Sequence, residues 1–447
     1  MKDLTRGSLP KTILTFAIPI FFGNLFQLFY SLADTRIVGE YLGKQALASI
    51  GSSSSLTNLL ISFMNGISLG FAVPIARFFG AKEPERLKKA FGSSVLMGFL
   101  LCLVLVLTGL SHLSDLLRFL QVEESLLADA KTYCAVLLSG IFFTFAYNMG
   151  ASVLRAIGDS ITPLLLLVCS SLINVGLDLY FIRSLGLGVF GAALATLIAQ
   201  AISAVLCTLY ILRRYPILHF SLCDMKPERR MAKELLLSGC SMAFMSALVQ
   251  LGTLILQSAI NGLGEDIIVA HTAARKVTEM LMLPFSIVGA AMCTFTSQNL
   301  GAEKYDRIRR GIRGAFLFLC GWSLLAALLS YTAAAPLAAL VTGTSDISIL
   351  ETAALYLRFD TSFYLVPAAI CLFRNCLQGL GNHLTPIVSS SIELVGKILF
   401  ARLCVPSLGY WGIILTEPVV WFLMVIPLVI RLLRNPCLKK GRQSDRL

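Results

Sequence analysis

Twelve apolar runs, each near or above the roughly 20 residues that cross a bilayer as a helix, leave few folds open to this sequence. They are Ile13–Val38, Ala46–Phe79, Ala90–Leu110, Leu126–Ala156, Ile161–Ile182, Gly188–Leu212, Leu235–Leu263, Ile267–Leu300, Gly311–Val341, Ile349–Leu380, Leu384–Val405 and Tyr410–Leu433. Within lipid every backbone N–H and C=O must find its partner inside the segment, so such runs form helices. Several exceed a plain span, which implies tilt, kinks or projection beyond the bilayer. With 56% hydrophobic and only 14% charged residues, a chain of 447 residues has too little charge to cover a soluble surface. The expected fold is an all-α polytopic membrane protein with twelve transmembrane helices.

Charge sets the orientation and explains the net charge of +12. Alternate connections hold Arg77, Lys82, Arg86, Lys88 and Lys89, then Arg213, Arg214, Lys226, Arg229, Arg230 and Lys233, then Lys304, Arg307, Arg309, Arg310 and Arg313, and the tail from Arg431 to Arg446. The intervening connections carry Glu123, Glu124, Glu265, Asp266 and Asp346. By the positive-inside rule both termini are expected to be cytoplasmic; the expected location is the plasma membrane, the bacterial inner membrane. The basic residues are a topology signal, so no nucleic-acid partner is expected. The twelve cysteines sit mostly inside apolar runs without a Cys-x-x-Cys, and read as reduced packing residues. The first residues lead into an apolar helix without a small-residue cleavage site, so a removed signal peptide is not expected.

The chain repeats itself. Gly80-Ala-Lys-Glu-Pro-Glu-Arg matches Gly301-Ala-Glu-Lys-Tyr-Asp-Arg, Arg155-Ala-Ile-Gly-Asp-Ser-Ile-Thr-Pro163 matches Gln378-Gly-Leu-Gly-Asn-His-Leu-Thr-Pro386, and Gly188-Val-Phe-Gly191 matches Gly409-Tyr-Trp-Gly412, all about 221–223 residues apart. Each unit holds six helices, so both halves start and end on the same side and are related by a pseudo-two-fold axis along the membrane normal. The expected domains are an N-terminal six-helix bundle at 1–212, a cytoplasmic linker at 213–233 and a C-terminal six-helix bundle at 234–447. Two such repeats across a central cavity suit alternating access, which makes a transporter the favoured class.

Polar residues within the spans are costly, at about 2.5–3.5 kcal/mol for a mid-membrane aspartate on insertion scales, and mark candidate sites. Asn174 and Asp178 lie four apart on one helix face. Asp34 lies near the outer end of the first span, at a depth that matches Asp178. Two carboxyls close together in low dielectric cannot both ionise cheaply, so the pair suits loading and releasing a proton. The competing reading of Asp34 is a solvated residue at the lipid–water boundary. Thr196 and Gln200 share a face of the sixth helix, although a membrane threonine commonly bonds its own backbone. Tyr147 and Asn148 lie deeper in the fourth, where Asn148 equally suits an interhelical packing bond. Pro19 breaks the first helix fifteen residues before Asp34, either as a static kink or as a bend that responds to the acid.

The second half does not repeat this acid pair. It has Glu393 and Lys397 four apart, read as a structural ion pair, and Arg275, Lys276 and Glu279 in the eighth helix. Glu279 either faces the cavity and meets a cationic substrate or pairs with Arg275. Gly66-Ile-Ser-Leu-Gly70 fits a hydrolase pattern, but within a membrane span its glycines serve close helix packing instead. No histidine pair at metal spacing and no phosphate-binding loop occur. The chain is therefore not expected to be an enzyme, needs no cofactor, and must draw energy from an ion gradient.

These residues resemble the multidrug and toxic compound extrusion (MATE) family over essentially the full chain. The resemblance is carried by Asp34-Thr35 with Val38-Gly39, Gly80-Ala81 with Arg86, Leu154 to Asp159 with Pro163, Asn174 with Asp178, and Gly191 to Thr196. It implies two six-helix bundles facing a V-shaped central cleft, and export of amphipathic, often cationic compounds in exchange for protons or sodium. It is closest to the DinF-like branch, in which Asp34 and Asp178 would carry the coupling ion, H+ or Na+. Asn148, Asn174 and Thr196 would be their polar partners, and Pro19 the bend. A sodium ion would sit at Asp34, Asp178 and Asn174. The seventh span, Leu235–Leu263, has no acid, unlike the branch that binds cations in the C-terminal bundle.

The reading is a cation-coupled antiporter, a monomer in membrane lipid, exporting a small amphipathic or cationic molecule. Phe145, Tyr147, Gln200, Glu279, Met282 and Phe285 are the candidate substrate contacts. The alternative within transport is a lipid-linked precursor flippase, which should place unpaired cations in its cavity. A non-transport membrane protein is the third reading.

Overall fold

The computed structural model describes residues 3–120, 122–343 and 346–439. The basic tail residues Lys440, Arg442 and Arg446 lie outside them. The described chain is helical throughout: α1 (Leu9–Ala81), α2 (Pro84–Ser111), α3 (Leu113–Phe119), α4 (Glu124–Ser139), α5 (Ile141–Ala156), α6 (Ile161–Asp178), α7 (Gly188–Arg214), α8 (Arg229–Asn261), α9 (Glu265–Gly301), α10 (Tyr305–Thr342), α11 (Ile347–Ser362), α12 (Leu365–Gly379), α13 (Leu384–Leu399), α14 (Val405–Leu408) and α15 (Tyr410–Leu433).

The twelve spans are built from these pieces. α1 contains two, separated at Gly43, where φ is 81° and ψ −174°, a backbone conformation that favours glycine. Two of the overlong spans are bent: α4 and α5 meet at 49° beside Gly140, and α11 and α12 meet at 55° at Phe363 and Tyr364. The eleventh span is α13, continued by a π-helical turn at Phe400–Cys404 and by α14. The remaining spans are α2, α6 with the π turn Leu179–Ser184, α7, α8, α9, α10 and α15.

The repeat is visible in the backbone as well as in the sequence. Lys82 and Glu303, equivalent in the two halves, have positive φ (58° and 56°) despite their side chains. Gly158 pairs with Gly381 and Gly188 with Gly409 in the same way. Asp159 Oδ1 accepts from the Thr162 N–H at 3.1 Å, and Asn382 Oδ1 accepts from the Thr385 N–H at 3.2 Å. Each caps the first turn of the following helix. The π turns Leu179–Ser184 and Phe400–Cys404 also fall at equivalent places.

The chain forms two compact units. Ile18–Ala243 belong to the first, and Leu4–Ala17 with the described residues from Phe244 onward belong to the second. In the first, α7 packs against α4, α5 and α6; in the second, α15 packs against α12 and α13, and α9 against α10, α11 and α12. Lipid is as apolar as leucine, so burying apolar area is a weak force here and close packing decides more. Gly66 and Gly70 supply it in the first unit. A Cβ on Gly70 would lie 2.4 Å from the Ser238 carbonyl oxygen, and one on Gly66 2.7 Å from Ala243 Cα. The backbones of α1 and α8 touch there, and Ser238 Oγ donates to the Gly70 carbonyl at 2.6 Å.

Candidate functional site

Around the C-terminal end of α6, the first unit gathers polar side chains from four helices. α1 contributes Tyr30 and Asp34, one turn apart on one face. α6 contributes Asn174 and Asp178, 1% and 0% exposed respectively. The carboxyl groups of Asp34 and Asp178 lie within hydrogen-bonding reach of each other. Two carboxylates cannot hydrogen-bond without a proton between them, so this contact requires one shared proton or a cation in its place. Asp178 Oδ1 has no N–H or O–H partner, consistent with a group built to face another carboxyl.

Asn174 holds the pair in place. With its nitrogen toward the acid, the amide donates to Asp178 Oδ2 and to the Tyr30 hydroxyl, both at 2.9 Å, and its oxygen accepts from the Thr196 N–H at 3.0 Å. The opposite orientation sets the amide oxygen against acceptors and keeps just a 3.4 Å contact with Thr196 Oγ1, so the first is the chemically consistent one. Thr196 Oγ1 back-bonds to the Ala192 carbonyl at 3.2 Å. Tyr133 on α4 lies close enough to both acids to feel their charge. Tyr30 and Tyr133 are the members that sequence reasoning passed over. Tyr30 was legible from its place one turn before Asp34, whereas Tyr133 depends on how α4 packs.

The other candidates lie elsewhere. Among the described residues, Asn148 makes no hydrogen bond to this cluster. Gln200 accepts from Thr144 Oγ1. Tyr147 donates to the Pro163 carbonyl at 3.3 Å. Phe145 is a core residue, with its ring against Gly98 of α2. In the second unit Phe285 is also buried, edge-on to Tyr364 at 5.6 Å. Met282 is half-buried. Glu279 is exposed and pairs with Lys276 at 3.1 Å, not with Arg275. Pro19 lies inside α1, next to the point between Ala17 and Ile18 where the chain passes from one unit to the other.

The pair Glu393–Lys397 is one edge of a larger buried network in the second unit. Lys397 Nζ lies 3.0 Å from Glu393 and 3.1 Å from Glu417; Arg374 lies 3.7 Å from Glu393 and Arg275 3.8 Å from Glu417. Asp360, 2% exposed, lies beside this network. Three cations thus face two glutamates and an aspartate from five helices. Glu417 and Asp360 were not singled out from the sequence, because neither has an opposite charge three or four residues away on its own helix. Among the described residues, this network pairs its buried cations and leaves no row of unpaired ones of the kind an anionic lipid-linked substrate would need.

Comparison with known proteins identifies the family of the chain. The MatE family model matches residues 19–180 and again 241–403, once in each half. The chain is 31% identical over 320 residues to a protein of Bacillus subtilis described as probable multidrug resistance protein YoeA, covering 69% of this chain and 68% of that one. It superposes on the crystal structure of MATE in the bent conformation with a TM-score of 0.88, at 25% identity, over 99% of this chain and 98% of the other. An outward-facing multidrug resistance MATE family transporter of the MOP superfamily superposes with a TM-score of 0.86, at 25% identity, over 99% and 97%.

Proposed function

The chain belongs to the MATE family, and we propose that it is a cation-coupled exporter of small amphipathic or cationic molecules, with Asp34 and Asp178 as the coupling site. Membership of this family makes it a transporter and not an enzyme. The observation that carries the coupling assignment is the carboxyl–carboxyl contact at a fully buried Asp178, with Asn174 bridging Asp178, Tyr30 and Thr196. Such a site holds one H+ between the acids, or one Na+ among their oxygens, at small cost in reorganisation.

Loading and release of that cation change the charge beside α1. Pro19 removes one helical N–H and frees a carbonyl in α1, so bending there is less costly than elsewhere in the helix. Cation binding at Asp34 is proposed to bias that bend, and through it the access of a cavity that the substrate enters and leaves. Any ligand moves such an equilibrium solely by its difference in affinity for the two states. The basic connections support cytoplasmic termini in the plasma membrane, with the coupling site in the outer half. In that orientation an inward cation gradient drives outward export.

The test is Asp34→Asn and Asp178→Asn in drug-sensitive cells that lack their own efflux pumps, with expression and gel-filtration profile checked. Each variant is expected to fold and to lose at least tenfold in efflux rate. Full resistance conferred by either variant would overturn the assignment.

A further inference from the structure

A cavity of about 540 Å³ opens at the start of α10 in the second unit, far in sequence from the proposed coupling site. Its polar wall is Arg309, Arg313 and Lys439; its apolar wall includes Phe316, Phe373 and Leu433. Among the described residues, no acidic side chain lines it. Arg313 and Lys439 are exposed and form no ion pair with any described side chain. Phe316 and Phe373 stack at 5.7 Å with their planes 26° apart, which makes a flat apolar floor.

The order of these groups along α10 is informative. Arg309, Arg313 and Phe316 fall at i, i+4 and i+7 on one face, so charge gives way to aromatic surface over about 10 Å of helix. The two arginines lie in the first turns of α10, where the chain enters the apolar layer. Beyond them the same helix exposes Leu317 at 64%, Leu324 at 74% and Leu328 at 60%, a surface fit for lipid. A free inorganic anion needs the cations and has no use for the floor. An amphiphile with a phosphate at one end uses both.

The repeat supplies a second, independent observation. Arg313 is equivalent to Gly92 in the first half, and there the corresponding surface is covered by the chain itself. A Cβ on Gly92 would lie 3.1 Å from the Asp224 backbone. Ser93 Oγ donates to the Asp224 carbonyl at 3.3 Å, and Phe220 packs edge-on to Phe91 at 5.1 Å. In the second half an arginine stands where the glycine admits that segment, and a cavity lined with cations remains. The residues after Lys439 carry three cations and one acid, so their charge does not complement the cavity.

We propose that this cavity binds the phosphate headgroup of an anionic phospholipid, with the first carbons of an acyl chain against Phe316 and Phe373. Basic pockets between membrane helices at the lipid–water boundary are suited to such headgroups. The proposal needs the chain to span a membrane but not the coupling mechanism, so either can fail alone.

The test is native mass spectrometry of the purified full-length protein titrated with dioleoyl phosphatidylglycerol, dioleoyl phosphatidylcholine and inorganic phosphate. The double variant Arg313→Ala/Lys439→Ala is expected to lose at least tenfold in apparent affinity for phosphatidylglycerol, with phosphatidylcholine retention unchanged. Arg313→Lys/Lys439→Arg should recover most of it, which separates lost charge from misfolding. Arg229→Ala/Arg230→Ala, an equal loss of charge at the start of α8, should bind as the parent does. Phe316→Ala should weaken the lipid while leaving any inorganic phosphate binding unchanged. Undiminished phosphatidylglycerol binding by the double alanine variant overturns the site. Inorganic phosphate that displaces the lipid at equal concentration, with Phe316→Ala silent, overturns the lipid as its occupant.

Discussion

Replacing Gly70 by alanine puts a methyl group into one of the closest backbone approaches of the first unit. Its ideal Cβ lies 2.4 Å from the Ser238 carbonyl oxygen and 2.5 Å from Gly239 Cα. Non-bonded carbon atoms prefer about 3.5–4.0 Å, so α1 and α8 must part locally by about 1 Å. Both atoms are backbone, so no side chain can rotate away. Forced overpacking of this kind costs about 1–3 kcal/mol. Parting the helices also stretches the bond from Ser238 Oγ to the Gly70 carbonyl, now 2.6 Å, which contributes about 0.5–1.5 kcal/mol. Alanine returns roughly 0.5–1 kcal/mol through its better helix propensity. The net loss is about 1–3 kcal/mol, or a melting point several degrees lower. Thermal unfolding in detergent, followed by gel filtration of the surviving fraction, measures it. Gly321→Ala on α10 is the control, since no atom lies within 4 Å of its ideal Cβ, and it should hold or raise the melting point. Gly70→Ala melting at or above the parent would refute the packing argument.

Three further outcomes are expected. Lys397→Met leaves Glu393 and Glu417 buried with poorer partners; breaking a buried pair from one side costs about 3–5 kcal/mol, so the variant should melt well below the parent, and an unchanged melting point contradicts the network. Arg307→Ala removes the guanidinium that bonds the Arg6 and Gly7 carbonyls at 2.7 Å, and should speed hydrogen exchange at the Leu4 amide, now bonded to Gln298 Oε1 at 3.1 Å, by at least tenfold; unaltered exchange would show that the guanidinium does not hold this segment. Asn174→Leu removes the bridge among Asp178, Tyr30 and Thr196 and should cut efflux at least tenfold in a protein that still purifies as a single species; parent-level efflux would show that the bridge is dispensable.

The spans and the repeat were legible because they rest on long-period signals: a bilayer's thickness fixes the apolar run, and duplication fixes the spacing. The proximity of Asp34 and Asp178 was legible for a related reason. Two helices running the same way place residues at equal distance from their ends at equal depth. Helix rotation was not legible. Phe145 and Phe285 look like cavity residues in an apolar helix, yet each turns into a core, against Gly98 and Tyr364 respectively. The bends at Gly140 and at Phe363–Tyr364 carry no proline at the break, so the apolar pattern runs through them unmarked. Ion pairs within one helix can be read from spacing. The partners of Glu417, Lys397 on α13 and Arg275 on α9, come from separate helices and appear when those pack.

In the proposed mechanism a cation at Asp34 and Asp178 drives export. Purified protein reconstituted into liposomes tests it directly, with uptake of a fluorescent cationic drug followed under a proton gradient alone, a sodium gradient alone, and neither. One gradient should drive accumulation by the parent protein and dissipate faster when drug is present, and Asp178→Asn should abolish both effects. Accumulation that ignores both gradients, or that persists in Asp178→Asn, would contradict the account.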